Sequence, residues 1–503
     1  MITVPAGILA VAPVLIPLGG AALTVLARRR QPLQRGIMEV AVVAQLVASV
    51  LLLVTVASGG VAVVTLGGWG SPFGISFVAD RLGALLCVTA SVIAVAVALF
   101  ARADIRRRRR KAGFDALFLA MLAAVNGAFL TGDIFNLYVW FELMLVCAVG
   151  LITLDRRRAQ LDGAFRYTSM SMMGATFMLI GIGLLYGEAG TLDMAHLSQV
   201  MSGRPPSIAL SASAFLLLSG FVLKAGLFPL FFWLPASYHT APISVAAALA
   251  GLLTKVAFYA CLRVFVLVFG VAGTMSPVNG MAPALAILAA GTMVVAVFAA
   301  IAQTDVRRLL AFHVMCQVAY LVLALALLSM LGIAAAVFYM VHTMLVQAGL
   351  FLGAGAIARA NRGYDMRRAG GLMSDRPLFA GVFALLAFSI SGIPPLSGFW
   401  SKFLVIDAAF RHGSTTGAVL AVIAIVVSFL TLYSMSKLWT QAFWKTPVRK
   451  GHAAKPIPAT MVWSVAILAV SSLAIGLVPD ALLSYSREAA VQLVPAAVAE
   501  SLP

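Results

Sequence analysis

Six ionisable side chains stand in apolar surroundings: Glu142, Lys224, Lys255, His313, His342 and Lys402. Carboxylate, amine and imidazole in a low-dielectric medium are the ingredients of proton transfer. A lysine taken out of water gives up its proton more readily than its solution pKa of about 10.4 implies, and a neighbouring carboxylate opposes that change. Parting and rejoining a Glu–Lys pair therefore switches the lysine's hold on its proton. Histidine titrates near neutral pH and suits a relay. Glu142 falls about ten residues into an apolar stretch that begins near Asp133. At ~1.5 Å per residue this is ~15 Å, the middle of a ~30 Å hydrocarbon layer. A charge at that depth costs roughly 2.5–3.5 kcal/mol. Glu142 with the three lysines thus costs on the order of 10 kcal/mol, comparable to the net stability of a whole domain. Static ion pairs explain such residues poorly, because apolar replacements of buried pairs are often neutral. The remaining basic residues outside loops are Arg81 and Arg166, near span ends, and Arg263 and Lys437, placed deeper.

Two of the lysines accompany broken helices. FVLKAGLFPLFFWLP contains Lys224, Pro229 and Pro235, and SISGIPPLSGFWSKF contains Pro394, Pro395, Gly398 and Lys402. Proline removes a backbone hydrogen bond, and in lipid the freed groups must face protein or a water-filled cavity. Two such breaks in corresponding places point to a transporter built from internal repeats with a site near the midplane. An odd number of spans from one break to the other predicts inverted repeats.

The elements that must position these groups are membrane helices. Hydrophobic residues make up 62% of the 503-residue chain and charged residues 10%, with a mean hydropathy of +1.04. Soluble globular domains are about a quarter charged, so that class is excluded, as is a disordered chain. Apolar stretches of spanning length occur at about 4–27, 36–57, 78–101, 112–131, 133–154, 163–187, 207–232, 242–269, 277–301, 305–330, 332–358, 377–410, 416–441 and 457–478. The expectation is an all-α polytopic membrane protein of about 14 transmembrane helices, with two inverted five-helix repeats and two proline-broken helices. Its parts are an N-terminal three-helix segment (1–111), a first repeat (112–269), a second repeat (277–441) and a C-terminal helix and tail (442–503). The opening MITVPAGILAVAPVLIPLGGAALTVLARRR lacks a basic stretch before its apolar run and reads as a first span, not a signal peptide. Alternate loops hold 25 of the 35 basic residues, including Arg28 to Arg30, Arg106 to Lys111 and Arg367; the opposite loops and tails hold only Arg204, Arg411 and Arg487. The positive-inside rule then puts both termini outside a multi-pass protein of the cell membrane.

The net charge of +18 does not signal nucleic acid. The run at 106–111 reads as a loop held by anionic lipid headgroups, at about 1 kcal/mol per basic residue. Cys87, Cys147, Cys261 and Cys316 all fall inside spans without metal-ligand spacing, and read as apolar filler. No motif for a metal, nucleotide, flavin, haem or iron–sulfur centre is present, so no cofactor is expected.

The segments GDIFNLYVWFELMLV (132–146), LKAGLFPLFFWLPASYHTAPISVAAALAGLLTKVAFY (223–259) and SGIPPLSGFWSKF (391–403) resemble the antiporter-like family. That family is shared by Mrp-type cation/proton antiporters and the proton-pumping membrane arm of respiratory complex I. The likeness spans about 78–441 and is greatest to the D-subunit branch of Mrp complexes. It implies that Glu142 pairs with Lys224 as a charge switch, that Lys255 follows as a relay, that His313 and His342 lie on a central axis, and that Lys402 ends it on the second broken helix. It also implies partners: the large A subunit and a small C-type subunit, with protons and Na⁺ as the transported ions. The family motif after His342 usually ends in lysine, where this chain has Gln347. A glutamine cannot titrate, and a spacer subunit with no transport of its own is the competing expectation. No Na⁺ site is legible, because Glu142 is the only carboxylate in the middle of a span. An antiporter-like subunit of a redox-driven complex is the other alternative.

Overall fold

The computed structural model describes residues 6–70, 72–201, 207–270, 279–446 and 455–494; Arg204, Arg449 and Lys450 of the loop charges lie outside the described residues. Each of the fourteen apolar stretches contains helix. The described helices are α1 (Ala6–Leu26), α2 (Gln31–Gly59), α3 (Arg81–Asp104), α4 (Arg107–Lys111), α5 (Phe114–Leu130), α6 (Ile134–Ile152), α7 (Arg158–Ala189), α8 (Met194–Met201), α9 (Ile208–Ala225), α10 (Trp233–Tyr238), α11 (Ile243–Leu262), α12 (Ala282–Ala302), α13 (Val306–Ala326), α14 (Met330–Asn361), α15 (Leu372–Asp375), α16 (Pro377–Ser391), α17 (Ser397–Arg411), α18 (Thr415–Trp439), α19 (Ala459–Leu477) and α20 (Pro479–Leu493). Twelve described helices are long and apolar enough to cross a membrane, and α5 and α16 are shorter apolar helices. The chain is an all-α polytopic membrane protein. Its one sheet among the described residues, a hairpin of β1 (Ala62–Thr65) and β2 (Ser76–Ala79), joins α2 to α3 and was not foreseen.

Helix ends fall where the chain supplies caps. Asp80, Asp133, Ser207, Asp305, Ser329 and Ser414 each accept a hydrogen bond from the first turn of the helix that follows. Such caps satisfy amides that have no partner within the helix. Inside α1, Pro17 cannot donate to the carbonyl of Pro13, and Asn126 on α5 donates to that oxygen instead, at 3.1 Å. On the side of the bundle carrying the basic loops, Arg109 grips Asp155 at 2.7 Å and Asp104 at 3.3 Å. Its guanidinium holds the Asp155 carboxyl below the usual carboxylate range. This clasp therefore stabilises the fold above the ordinary aspartate pKa and is lost as pH falls through the lowered one.

Helix α11 is buried along its whole length, and α14 and α13 over most of theirs. These three carry Lys255, His342 and His313. Around them run helices with one face outward, such as α2, α7, α12 and α18.

Two bridges tie helix starts to distant loops in the same way. Ile134 N donates to Leu192 O and Met194 N to Gly132 O; Val306 N donates to Tyr364 O and Met366 N to Thr304 O. The paired residues are Asp133 with Asp193 and Asp305 with Asp365.

Both breaks are present. Helix α9 ends at Gly226, with φ of 71°, followed by a cis Phe228–Pro229 bond; α16 ends at Gly392, with φ of 91°, followed by a cis Pro394–Pro395 bond. Pro235 does not break a helix but lies inside α10. Freed backbone groups of the first break meet protein: Phe228 N donates to Thr292 Oγ1, and Leu223 O accepts from Trp233 Nε1. Past the second break, Trp400 Nε1 on α17 donates to Gly476 O of α19. Close approach at the second break requires glycine. A Cβ on Gly398 would overlap the Ser389 carbonyl oxygen and stand 2.9 Å from the His342 ring. Gly398→Ala is accordingly expected to abolish recovery of folded, detergent-extracted protein. Gly381→Ala, whose Cβ would meet nothing within 4 Å, is expected to match wild type. Equal recovery of the two variants would contradict this packing.

Candidate functional site

The first pair forms as expected. Lys224 Nζ lies 3.9 Å from Glu142 Oε1, donates to Ser171 O at 3.5 Å and sits 5.0 Å from the centre of the Phe141 ring. The two side chains differ in setting: Lys224 is 6% exposed and Glu142 34%. Midway along its helix, Glu142 thus stands at the perimeter of the chain and not in its centre, with one carboxylate oxygen buried toward the lysine.

Lys255 is fully buried on α11 and donates to Ala250 O at 2.6 Å. Lys402 donates to Ser391 O at 3.1 Å, and its ammonium lies 5.2 Å from the centre of the Tyr320 ring. Among the described residues neither lysine has a carboxylate within ion-pair distance. Lys224 and Lys402 are not equivalent relative to the breaks. Lys224 lies two residues before Gly226, at the end of the first half-helix, whereas Lys402 sits on α17, past the second break. A cavity of about 340 Å³ opens beside Lys402, lined by Ser391, Gly392, Pro394, Phe399 and Ser428 among others.

Between Lys255 and Lys402 runs a buried polar layer. His313 Nε2 contacts Ser434 Oγ at 2.9 Å, and His342 Nδ1 contacts Ser397 Oγ at 2.8 Å. Gln347 Nε2 donates to His313 O at 3.1 Å. His342 and Gln347, five residues and therefore about 140° apart around α14, reach different helices, α17 and α13. Tyr339 donates to Gln317 Oε1 at 2.6 Å and stacks on Tyr320 at 5.4 Å. Ser397, Ser389 and Ser472 join their hydroxyls at 2.7–3.3 Å, which brings α19 into contact with His342. Several buried polar atoms in this layer have no protein partner among the described residues: His313 Nδ1, His342 Nε2, Gln347 Oε1, Gln317 Nε2, Thr254 Oγ1 and Thr343 Oγ1.

Sequence reasoning missed the hydroxyl and amide members of this layer. A signal existed. His313, Gln317 and Tyr320 recur at four- and three-residue steps on α13, and Tyr339, Thr343 and Gln347 at four-residue steps on α14. Such spacing lines one helix face. Two deep basic residues prove to be anchors. Arg263 Nη2 pairs with Asp80 Oδ2 at 2.6 Å, and its Nε donates to Tyr259 Oη, which itself donates to Phe129 O. Lys437 caps α12 by donating to Ile301 O and Gln303 O. Arg81 pairs with Glu488 on α20, a helix in the stretch expected to be tail.

A bundle of membrane helices, two of them broken and bordered by buried lysines, with imidazoles between, has the architecture of an ion-transporting membrane protein. The chain belongs to the NADH:quinone oxidoreductase/Mrp antiporter transmembrane family, whose model matches residues 131–428. It is 37% identical over 487 residues to the D subunit of the Na(+)/H(+) antiporter of Alkalihalophilus pseudofirmus, covering 97% of each chain. Its fold matches a chain of the Mrp complex from Dietzia sp. DQ12-45-1b with a TM-score of 0.89 and 30% identity, covering 97% of both chains. A chain of the archaeal membrane-bound sulfane sulfur reductase matches with a TM-score of 0.88 at 25% identity, covering 98% of this chain and 99% of that one.

The Asp80–Arg263 pair and the lysine axis call for different outcomes on mutation. Removing one member of a buried pair strands a charge at a cost of about 3–5 kcal/mol, whereas replacing both with apolar residues is often tolerated. Arg263→Leu alone is expected to lower the thermal midpoint of the detergent-purified protein markedly. Asp80→Asn with Arg263→Leu, which removes both charges and keeps the side-chain oxygen that caps α3, is expected to recover much of that loss. A double variant no more stable than the single one would show that the pair is not a self-contained anchor.

Proposed function

We propose that the chain is a proton-translocating subunit of a multisubunit Na⁺/H⁺ antiporter of the cell membrane, a secondary transporter subunit and not an enzyme. The observation that carries this reading is the axis itself. A Glu142–Lys224 pair stands at one end, Lys255 and Lys402 are buried with no described acid beside them, and two histidines lie between. Protons enter and leave the Glu142–Lys224 switch, pass by Lys255 and the His342–His313 layer, and reach Lys402. The transmembrane potential acts on them at about 2.3 kcal/mol per charge per 100 mV.

Gln347 interrupts the titratable series but not the polar one. An unpaired buried polar group costs about 1–3 kcal/mol unless water satisfies it. The partnerless atoms around Gln347 therefore favour a hydrated gap, and proton transfer there runs through water held by Gln347 Oε1, Thr343 and the imidazoles.

The two bridges, Asp133 with Asp193 and Asp305 with Asp365, support division into repeats at 112–269 and 277–441. The loop charges favour both termini outside, since the basic loops hold 25 basic residues against three on the other face. Glu142 supports a partner as well. A one-third-exposed carboxylate at mid-depth is costly against lipid, and a neighbouring membrane protein at that face, the large A subunit or a small C-type subunit, shields it. The relative named as the D subunit of a Na(+)/H(+) antiporter, at 37% identity, favours the antiporter assembly over a redox-driven one, whose structural match is 25% identical. The proteins that copurify with the chain decide between the two.

In vesicles containing the assembled complex, Glu142→Gln and Lys224→Ala are each expected to reduce Na⁺-dependent proton flux to the level of vesicles without the complex. Gln347→Leu, which removes the water-holding amide, is expected to slow the flux, and Gln347→Lys to preserve it. Wild-type flux in both Glu142→Gln and Lys224→Ala, with assembly intact, would favour a spacer role and sink the proposal.

A further inference from the structure

A second polar feature lies away from the proton axis, on the side of the bundle that carries the basic loops. There the ends of α3, α11, α14 and α19 surround a cavity of about 730 Å³. Its rim bears Arg106, Arg108, Arg157, Arg359, Arg362 and Lys455, drawn from four separate stretches of the chain. None of the six pairs with a carboxylate among the described residues. The two acids of the lining, Asp104 and Asp155, are already held by Arg109, and Asp104 also accepts from the amide and hydroxyl of Ser244. The wall's own carboxylates are thus engaged by Arg109, with Arg157 also in the field of Asp155, and none of the other cations around the opening has a carboxylate within ion-pair distance among the described residues.

Arg362 carries a second sign of purpose. It ends α14 with φ of 60°, a left-handed position, although Gly363 is the next residue. Glycine is the residue that such a cap favours. Here the backbone accepts a less favoured conformation while an arginine is kept on the cavity rim.

Apart from Arg109 and Tyr364, the remaining lining is apolar. Ile243, Ala358 and Met461 form part of it, and Gly355 brings it well over a turn inside the end of α14. The cavity thus grades from a rim of cationic side chains to an apolar floor. Arginine forks match phosphate oxygens in bidentate geometry, and basic pockets between membrane helices suit anionic headgroups.

We propose that this cavity binds a phosphate-bearing anion, and that its amphipathic lining selects an anionic phospholipid, phosphodiester on the arginines and glycerol backbone on the apolar floor. The site is independent of the proton path and would hold the ends of four helices together from outside the covalent chain.

The test uses the complex containing the full chain, stripped of lipid in neutral detergent, with its thermal midpoint followed during titration. Short-chain phosphatidylglycerol is expected to raise the midpoint saturably, and short-chain phosphatidylcholine to leave it unchanged. Arg108→Gln with Arg359→Gln and Arg362→Gln is expected to weaken the apparent affinity about a hundredfold, at about five-fold per arginine. A rise produced by inorganic phosphate alone, and lost in the triple variant, would support the phosphate site while assigning it to a soluble ligand. A triple variant responding like wild type, or phosphatidylcholine acting as well as phosphatidylglycerol, would overturn the proposal. Should the triple variant not assemble, the exposed Arg362→Gln alone provides the measurement: a five-fold weakening is expected, and an unchanged affinity rejects the site.

Discussion

Hydrocarbon offers a polar group no partner, and the rest of this structure follows from that. Every amide, hydroxyl or charge within the membrane must be answered by protein or by water brought in with it. The answers here are local and specific. Asn126 fills the acceptor that Pro17 leaves open on α1. Thr292 and Trp233 cover the first break, and Trp400 ties the second to α19. Asp80 and Arg263 cancel one another, with Tyr259 linking the arginine to α5. What is left unanswered by protein occurs in several places, on α2, α5 and α6 among them, but six of the sixteen such side-chain atoms among the described residues gather in one layer on α11, α13 and α14, between Lys255 and Lys402.

That concentration separates two kinds of buried charge. Arg263 meets a carboxylate and a phenol oxygen, Lys437 meets two carbonyls, and both hold helices in place. Lys255 and Lys402 have one carbonyl each and sit beside groups that themselves lack partners. The same chemistry in the same solvent therefore serves as anchor in one setting and as a poised site in the other. The difference lies in how many of its hydrogen bonds the protein has filled.

Much of this was legible in the sequence. Helices are local, so length, hydropathy and proline located the spans and both breaks. The cost of a charge in lipid singled out Glu142, Lys224, Lys255 and Lys402 before any contact was known. What escaped were facts about facing. Glu142 is central along α6 yet lies at the edge of the chain, because depth is set by position in a helix and exposure by the helix's neighbours. Arg263 looked deep, and its partner Asp80, remote in sequence at the start of the 78–101 stretch, is brought to it only by the packing of α3 against the end of α11. The serines of the polar layer carry no charge, and nothing in composition marks them until α19 is brought against α17.

Those serines have a property beyond their place in the layer. Each hydroxyl donates one hydrogen and accepts others, so the ring of Ser389, Ser397 and Ser472 can be strung in either of two senses, like a clasp that closes from left or right. The imidazole of His342 decides whether that ring closes. When its Nδ1 bears a hydrogen, Ser397 receives it and keeps its own hydrogen for the ring; when Nδ1 is bare, Ser397 turns its hydrogen to the imidazole and the ring opens into a chain that ends on it. The state of one ring nitrogen is thus read out as a closed or an open circuit of three hydroxyls. One of these, Ser472, belongs to α19, a helix beyond the stretch that the family model matches.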